Sequence, residues 1–147
     1  MKKVMKIECD VEGKPPRKNG ANSLWATGEA QRVLDLRLKI LETQKENNRV
    51  GAINTPVKIE LSVYAPNITN RKNTQTYVGD LDTFVAGICE CIQSAHPKAK
   101  LSQIFEKHNE VAPHIPLIIY DDTQVVEIIA KKILSKKFHY TVIIEEV

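Results

Sequence analysis

Residues 57–64, VKIELSVY, alternate Val57, Ile59, Leu61 and Val63 with polar partners. Strand side chains leave alternately from two faces, so this period makes a half-buried strand that needs a sheet beside it and a cover over one face. Further along, Leu81, Phe84, Val85, Ile88, Ile92 and Ala95 recur at helical spacing. That is the stripe of an amphipathic helix, and Pro97 is expected to end it. A strand with one apolar face and a helix with one apolar stripe fit a sheet with helices laid on it.

The remaining segments extend this pattern. Residues 3–9 read as a first strand, followed by the polar, proline-bearing loop DVEGKPPRKNGANS. A helix is expected from about 27 to 47, with Thr27 as its cap and Ala30, Val33, Leu34, Leu38 and Leu41 as its apolar face. NNRVG ends it, with Gly51 just beyond. Residues 101–109 suit one short helix within a mixed stretch, 98–114. The tail VVEIIAKKILSKKFHYTVIIEEV reads as two strands joined at SKK, although 125–134 also fit a helical period. The order β-α-β-α-(α)-β-β predicts a single α+β domain over 1–147, with one mixed sheet and helices packed on it.

The bulk numbers narrow the function classes. A chain of 147 residues, 42% hydrophobic and 27% charged, is a globular composition with enough material for one core. The net charge of +3 permits nucleic-acid binding without demanding it. Apolar runs such as IPLIIY are too short to span a bilayer. The start, MKKVMKIECD, has no apolar segment or cleavage site, so no signal peptide is expected. Three cysteines without CxxC pairs suit reduced, buried thiols in a cytoplasmic protein. No glycine-rich phosphate loop is present, and the four histidines are scattered, away from zinc spacing.

The acidic residues carry the chemistry. Asp80 and Asp82 stand at the head of the second helix. Residues two apart in a helix point ~200° apart, so the two carboxylates converge only if Asp80 precedes the helix and Asp82 lies in its first turn. They could cap the helix and offset its dipole. They could also hold a metal. A second pair, Asp121 and Asp122, sits in YDDTQVVE, which could be an ordinary Asp-rich turn. Three or four carboxylate oxygens brought together would suit Mg²⁺, which can polarise a phosphodiester and activate water.

GDLDTFVAGICECI followed by DDTQVVEIIAKKI resembles the RusA-like family of Holliday-junction resolvases, the crossover junction endodeoxyribonucleases. The family's Asp-x-Asp-Asn motif is matched by Asp80, Leu81 and Asp82. Its Asp-Asp-x-Gln-Val motif is matched by Asp121, Asp122, Thr123, Gln124 and Val125. KPPRKN and WATGEAQRVLDLRLKI are similar to the family's front half. The likeness covers most of the chain except about 96–116. It implies a homodimeric, Mg²⁺-dependent endonuclease on branched DNA, cutting one of two symmetry-related strands per subunit. Asp80, Asp82 and Asp122 would be the catalytic, metal-binding acids. Two positions depart from the pattern. Thr83 stands where the family usually has Asn, and Ala86 where it commonly has a lysine able to stabilise charge at the phosphate. The alternative is a catalytically inactive DNA-binding or structural protein on the same fold.

Around those motifs, Lys14, Arg17 and Lys18 in the proline loop and Arg71 and Lys72 in the loop before Asp80 are the expected DNA-phosphate contacts. Otherwise they are ordinary solvated loop charges. Asp121 and Gln124 are accessory candidates, Gln124 to orient an acid or a phosphate. Lys131, Lys132, Lys136 and Lys137 are expected to keep a hairpin soluble and protect an edge. Trp25 is expected to pack at the entry to the first helix rather than act as a junction wedge. Glu127 could join a metal shell if it shares a face with Asp122.

Overall fold

The computed structural model describes residues 4–18, 23–26 and 28–147. Four strands and two α-helices follow one another: β1 (Lys6–Glu12), α1 (Ala30–Glu46), β2 (Val57–Ala65), α2 (Leu81–Cys91), β3 (Val125–Leu134) and β4 (His139–Glu146). They form one mixed sheet in the order β1-β4-β2-β3. β4 is antiparallel to both β1 and β2, and β3 is parallel to β2. Parallel neighbours need a crossover, and α2 lies in the segment that connects β2 to β3. The single α+β domain and its mixed sheet follow the sequence pattern.

The alternation in β2 buries Val57, Ile59, Leu61, Val63 and Ala65. Ile7 and Cys9 of β1 and Tyr140, Val142 and Ile144 of β4 join them in one core with α1 and α2. The other face of the sheet carries Lys58, Glu60 and Glu145, and among the described residues no helix covers it. Lys58 and Glu145 pair there at 3.1 Å.

Several expectations change. β1 runs three residues later than the 3–9 reading, because it extends as far as its pairing with β4, from Lys6–Glu145 to Glu12–His139; residue 3 lies outside the described residues. The proposed Thr27 cap also lies outside them. Leu38 is exposed, and α1 buries Leu36, Arg37, Ile40, Thr43 and Gln44 instead. α2 ends at Cys91, well before Pro97, because the Ile92 carbonyl accepts the backbone N–H groups of Ile118 and Ile119. The expected helix at 101–109 is two 3₁₀ turns, Gln103–Lys107 and Asn109–Val111. β3 and β4 are both strands but form no hairpin. β2 lies between them, so the Ser135–Phe138 link carries the chain across to the far side of β2.

Arg37 organises the stretch that the sequence left unexplained. It is fully buried, and its guanidinium donates to five backbone carbonyls. Nε reaches Val111 at 3.1 Å, Nη1 reaches Cys91 and Gln93 at 2.8 and 3.0 Å, and Nη2 reaches Ala112 and Ile115 at 2.7 Å each. Trp25 stacks over the guanidinium at 5.0 Å and meets Phe105 at 5.8 Å. Trp25 is therefore a core residue, as expected, and no wedge. Among the described residues, no helix is long and apolar enough to cross a membrane.

Candidate nucleic-acid interface

The loop between β2 and α2 is tied by one side chain. Asn67 Nδ2 donates to the Asn70 carbonyl at 2.9 Å and to Thr76 Oγ1 at 3.1 Å, and its Oδ1 accepts the Asn70 N–H at 2.9 Å. The loop then turns at Gly79, whose φ of +124° suits glycine. A Cβ there would sit 2.9 Å from the Phe84 ring. This knot delivers Arg71 and Tyr77 to Asp80.

Asp80 occupies the N-cap position of α2 in extended conformation, φ −89° and ψ 132°, yet its carboxylate caps no helix N–H. Asp80 Oδ1 instead accepts from Arg71 Nη2 at 2.9 Å and from the Tyr77 hydroxyl at 2.8 Å. Thr83 Oγ1 donates to the Asp80 carbonyl at 2.7 Å. Lys132 stands behind, donating to the Tyr77 hydroxyl at 3.2 Å and to the Ile68 carbonyl at 3.0 Å. Its lysine charge thus supports the Asp80 site rather than guarding an edge. Asp82 lies in the first turn, where its Oδ1 accepts the Thr83 N–H at 3.0 Å. The predicted placement of one acid before the helix and one in its first turn holds. The capping explanation does not hold for Asp80.

The proline-bearing loop meets the same place from the other side. The Lys18 N–H donates to the Thr83 carbonyl at 3.0 Å. Gly87 permits the approach, since a Cβ on it would lie 2.1 Å from the Pro16 carbonyl oxygen. Together the two loops and α1 enclose a cleft of about 390 Å³. Lys14, Arg17, Arg32 and Arg71 line it with Glu29, Thr74, Tyr77, Asp80 and Thr83. Glu29 ties the α1 side together: its carboxylate meets Arg32 Nη1 at 3.2 Å and Arg17 Nε at 3.8 Å, and it accepts the Arg17 N–H at 3.0 Å. Lys14 Nζ donates to the Tyr77 carbonyl at 3.2 Å and lies over Phe138 at 4.9 Å. Burial pushes its pKa down, and the neighbouring Arg32 and Arg17 charges push it further. Cations that repel one another in a partly desolvated cleft favour an anion between them.

Sequence reasoning anticipated Lys14, Arg17 and Arg71 but missed Arg32. The available signal was the Glu29–Arg32 spacing at the start of a helix, which also describes an ordinary surface pair. Lys72 is exposed and does not line the cleft. Lys18 lies farther along α2, where its Nζ meets Glu90 at 2.8 Å. That contact raises the Lys18 pKa, and Asp122 adds to the effect.

The second acidic motif divides into two roles. Asp121 and Gln124 form a capping box around the turn Asp122–Gln124 that opens β3. Asp121 Oδ1 accepts the Thr123 N–H at 2.9 Å, and Gln124 Oε1 accepts the N–H groups of Tyr120 and Asp121 at 2.8 and 3.2 Å. Gln124 Nε2 clamps the carbonyls of Ile53 and Thr55 at 2.9 and 3.0 Å. Gln124 thus holds the fold rather than a phosphate. Asp122 is left at the surface beside Asp121, within the electrostatic reach of Lys18 and Cys89.

The residue types suit Mg²⁺, but their placement does not assemble a site. Asp80 is engaged by Arg71 and Tyr77, Asp82 by Thr83, and Asp122 sits by Asp121 at the head of β3. Among the described residues, no group of three or more His, Cys, Asp or Glu side chains is placed to hold a metal ion. Glu127 lies on the open face near Lys58 and does not approach the Asp80 cleft. No family model matches the chain, and no curated protein matches it.

Proposed function

We propose that this chain is a RusA-like, DNA-directed protein that takes the sugar-phosphate backbone of branched DNA into the cleft beside Asp80, and that it acts there as a structure-selective endodeoxyribonuclease. One observation carries this reading. Two loops far apart in sequence, together with α1, bring Lys14, Arg17, Arg32 and Arg71 around the first acid of the Asp80-Leu81-Asp82 motif. Such cations neutralise phosphates and fix the register of a backbone.

On this reading Asp80, Asp82 and Asp122 are the acids of the reaction, with Mg²⁺ as the expected cofactor, a homodimer as the working unit and the cytoplasm as the compartment. When bound, the ion would polarise a phosphodiester and activate water. Its three expected ligands are not gathered around one point, so holding the ion requires them to converge. Within the chain's own residues, Lys14, Arg17 and Arg32 would hold the backbone, while Arg71 and Tyr77 orient the Asp80 carboxylate.

The second reading, a non-cleaving branched-DNA binder, is favoured by two specific observations. Asp80 is already ion-paired with Arg71, and Ala86 offers no cation on the α2 face near Asp82. Cleavage of a labelled four-way junction with Mg²⁺, with and without chelator, separates the two. Paired nicks that disappear with chelator and with Asp122→Asn are the expected result. Junction binding without cleavage by both proteins supports the second reading. Failure to bind any branched DNA overturns both.

A further inference from the structure

The two faces of the sheet are unlike. β2 and β3 run parallel with α2 packed on one side, and among the described residues no helix covers the other. Parallel strands usually have both faces covered. The strand registers fix what the open face presents. Glu8, Asp10, Glu12, Glu60, Glu127 and Glu145 lie on it with Lys6, Lys58 and Lys131. Six carboxylates against three lysines leave this face at −3, on a chain whose net charge is +3. The charge is also uneven. Glu145 meets Lys58 at 3.1 Å and Lys6 at 4.0 Å, so that end of the face is largely neutralised from within. Glu8, Asp10 and Glu12 follow one another along the exposed rim of β1. Among the described residues none of the three has an ion-pair partner, and Asp10 accepts only from the Thr141 hydroxyl, at 3.4 Å. Beside this rim runs a lane of uncharged side chains, Ile143, Thr141 and His139 of β4 with Ser62 and Tyr64 of β2. The Tyr64 and His139 rings stack there at 4.1 Å. Across the sheet, Ile129 is 51% exposed.

We propose that the open face of the sheet docks a basic amphipathic helix of a partner protein, with its apolar stripe on the Ile143–Tyr64 lane and its basic flank over Glu8, Asp10 and Glu12. Charge selects this occupant. DNA, or the same face of a second copy, would bring negative charge against negative charge, and like-charge juxtaposition disfavours a partner. A cationic flank instead meets three carboxylates that nothing else neutralises. Spacing selects a helix. Alternate residues of a strand lie ~6.6 Å apart, and helix residues four apart rise ~6 Å. Cations at i, i+4 and i+8 therefore keep step with Glu8, Asp10 and Glu12. A helix laid along the strands also supplies the layer that the parallel pair lacks. Binding by one apolar stripe with charged flanks is a recurring mode of helix recognition. The docking depends on the sheet face alone and is independent of the DNA reading.

The test uses the full chain, without DNA, and a labelled synthetic peptide with a helical leucine stripe and lysines along its flank. Fluorescence anisotropy reads binding, and circular dichroism reads the peptide's helix. The wild type is expected to bind the peptide and to raise its helicity. The same peptide with glutamate for every lysine, and a scrambled one without the stripe, should each bind about tenfold more weakly or worse. Glu8→Lys combined with Glu12→Lys should weaken binding by about tenfold or more. Thr141→Arg, in the middle of the lane, should do the same with an unchanged protein spectrum. Glu106→Lys makes the same charge change on the Gln103–Lys107 turn and should leave binding as it is. A wild type that does not bind the peptide overturns the proposal. So do equal binding of the scrambled peptide, and a loss in Glu106→Lys as large as that at the β1 rim. Sedimentation that shows a dimer dissociated by Thr141→Arg overturns it as well, by assigning the face to a second copy.

Discussion

Replacing Arg37 by methionine removes the guanidinium from beneath Trp25 while keeping much of the side-chain volume. Five backbone carbonyls lose the guanidinium at once, those of Cys91, Gln93, Val111, Ala112 and Ile115, of which Ala112 keeps the Ile115 N–H at 2.9 Å. A buried polar group left unsatisfied costs ~1–3 kcal/mol. The five costs do not add fully, because the outer carbonyls can take water and because the burial cost of the charge is recovered. That cost is visible in Arg37 itself, whose pKa burial pushes down to about 10, still well above neutral. The expected net loss is about 3–5 kcal/mol, a large share of the ~7–15 kcal/mol typical of a domain this size. For a chain of this length that corresponds to a fall in Tm of roughly 10 °C or more. Urea unfolding followed by Trp25 fluorescence reads it directly, since the indole lies 5.0 Å from the guanidinium. Arg37→Lys should recover only part of the loss, because an ammonium has three donors and no fork. A loss below about 1 kcal/mol for Arg37→Met would refute the claim that this side chain fastens the 91–115 stretch to the core.

Three further outcomes follow from the same geometry. Gly87→Ala drives a Cβ into the Pro16 carbonyl at 2.1 Å, so it should cost ~1–3 kcal/mol in a thermal melt and weaken DNA binding. Gly28→Ala, with open space around it, is the neutral control. Asp121 is held below the usual carboxylate range, first by the Thr123 N–H bond and then by Asp122. Its cap is therefore fully present above the ordinary carboxylate pKa of ~3.9 and is lost as pH falls through the depressed folded value. Protection of the Thr123 amide, measured against its intrinsic exchange rate at each pH, should fall only in that acid range; protection already lost at pH 6 would contradict it. Burial pushes the Cys89 and Cys91 thiols up to about 11 and about 12. Both should resist thiol reagents at neutral pH until the chain unfolds, and rapid labelling of the native protein would contradict that.

The fold was legible where one period dominated. β2 is announced by strict alternation and α2 by its apolar stripe, and both stand where those patterns lie. What sequence reasoning missed depends on long-range partners. The end of α2 is fixed by residues 118 and 119 taking the Ile92 carbonyl, which no local breaker signals. The hairpin expected at Ser135 reflects the prior that adjacent strands pair; β4 instead fits between β1 and β2. Arg37 is not singled out by the apolar spacing of its helix, and its burial is intelligible only with the 91–115 carbonyls in view. In the site, the motif residues were legible but their division of labour was not. Asp121 and Gln124 build the turn, Asp80 declines the cap, and Arg32 joins the cleft from a helix whose local pattern gives no reason to single it out.

The salt dependence of four-way-junction binding, in chelator so that no strand is cut, tests the cleft most directly. Each phosphate contact contributes about 0.9 to the slope of log K against log salt. Wild type should bind with a steep slope. Lys14→Ala and Arg32→Ala should each weaken binding and reduce the slope by roughly one. Lys72→Ala, outside the cleft, should change neither by as much. If Arg32→Ala binds with the wild-type affinity and slope, the cleft beside Asp80 does not hold the DNA backbone.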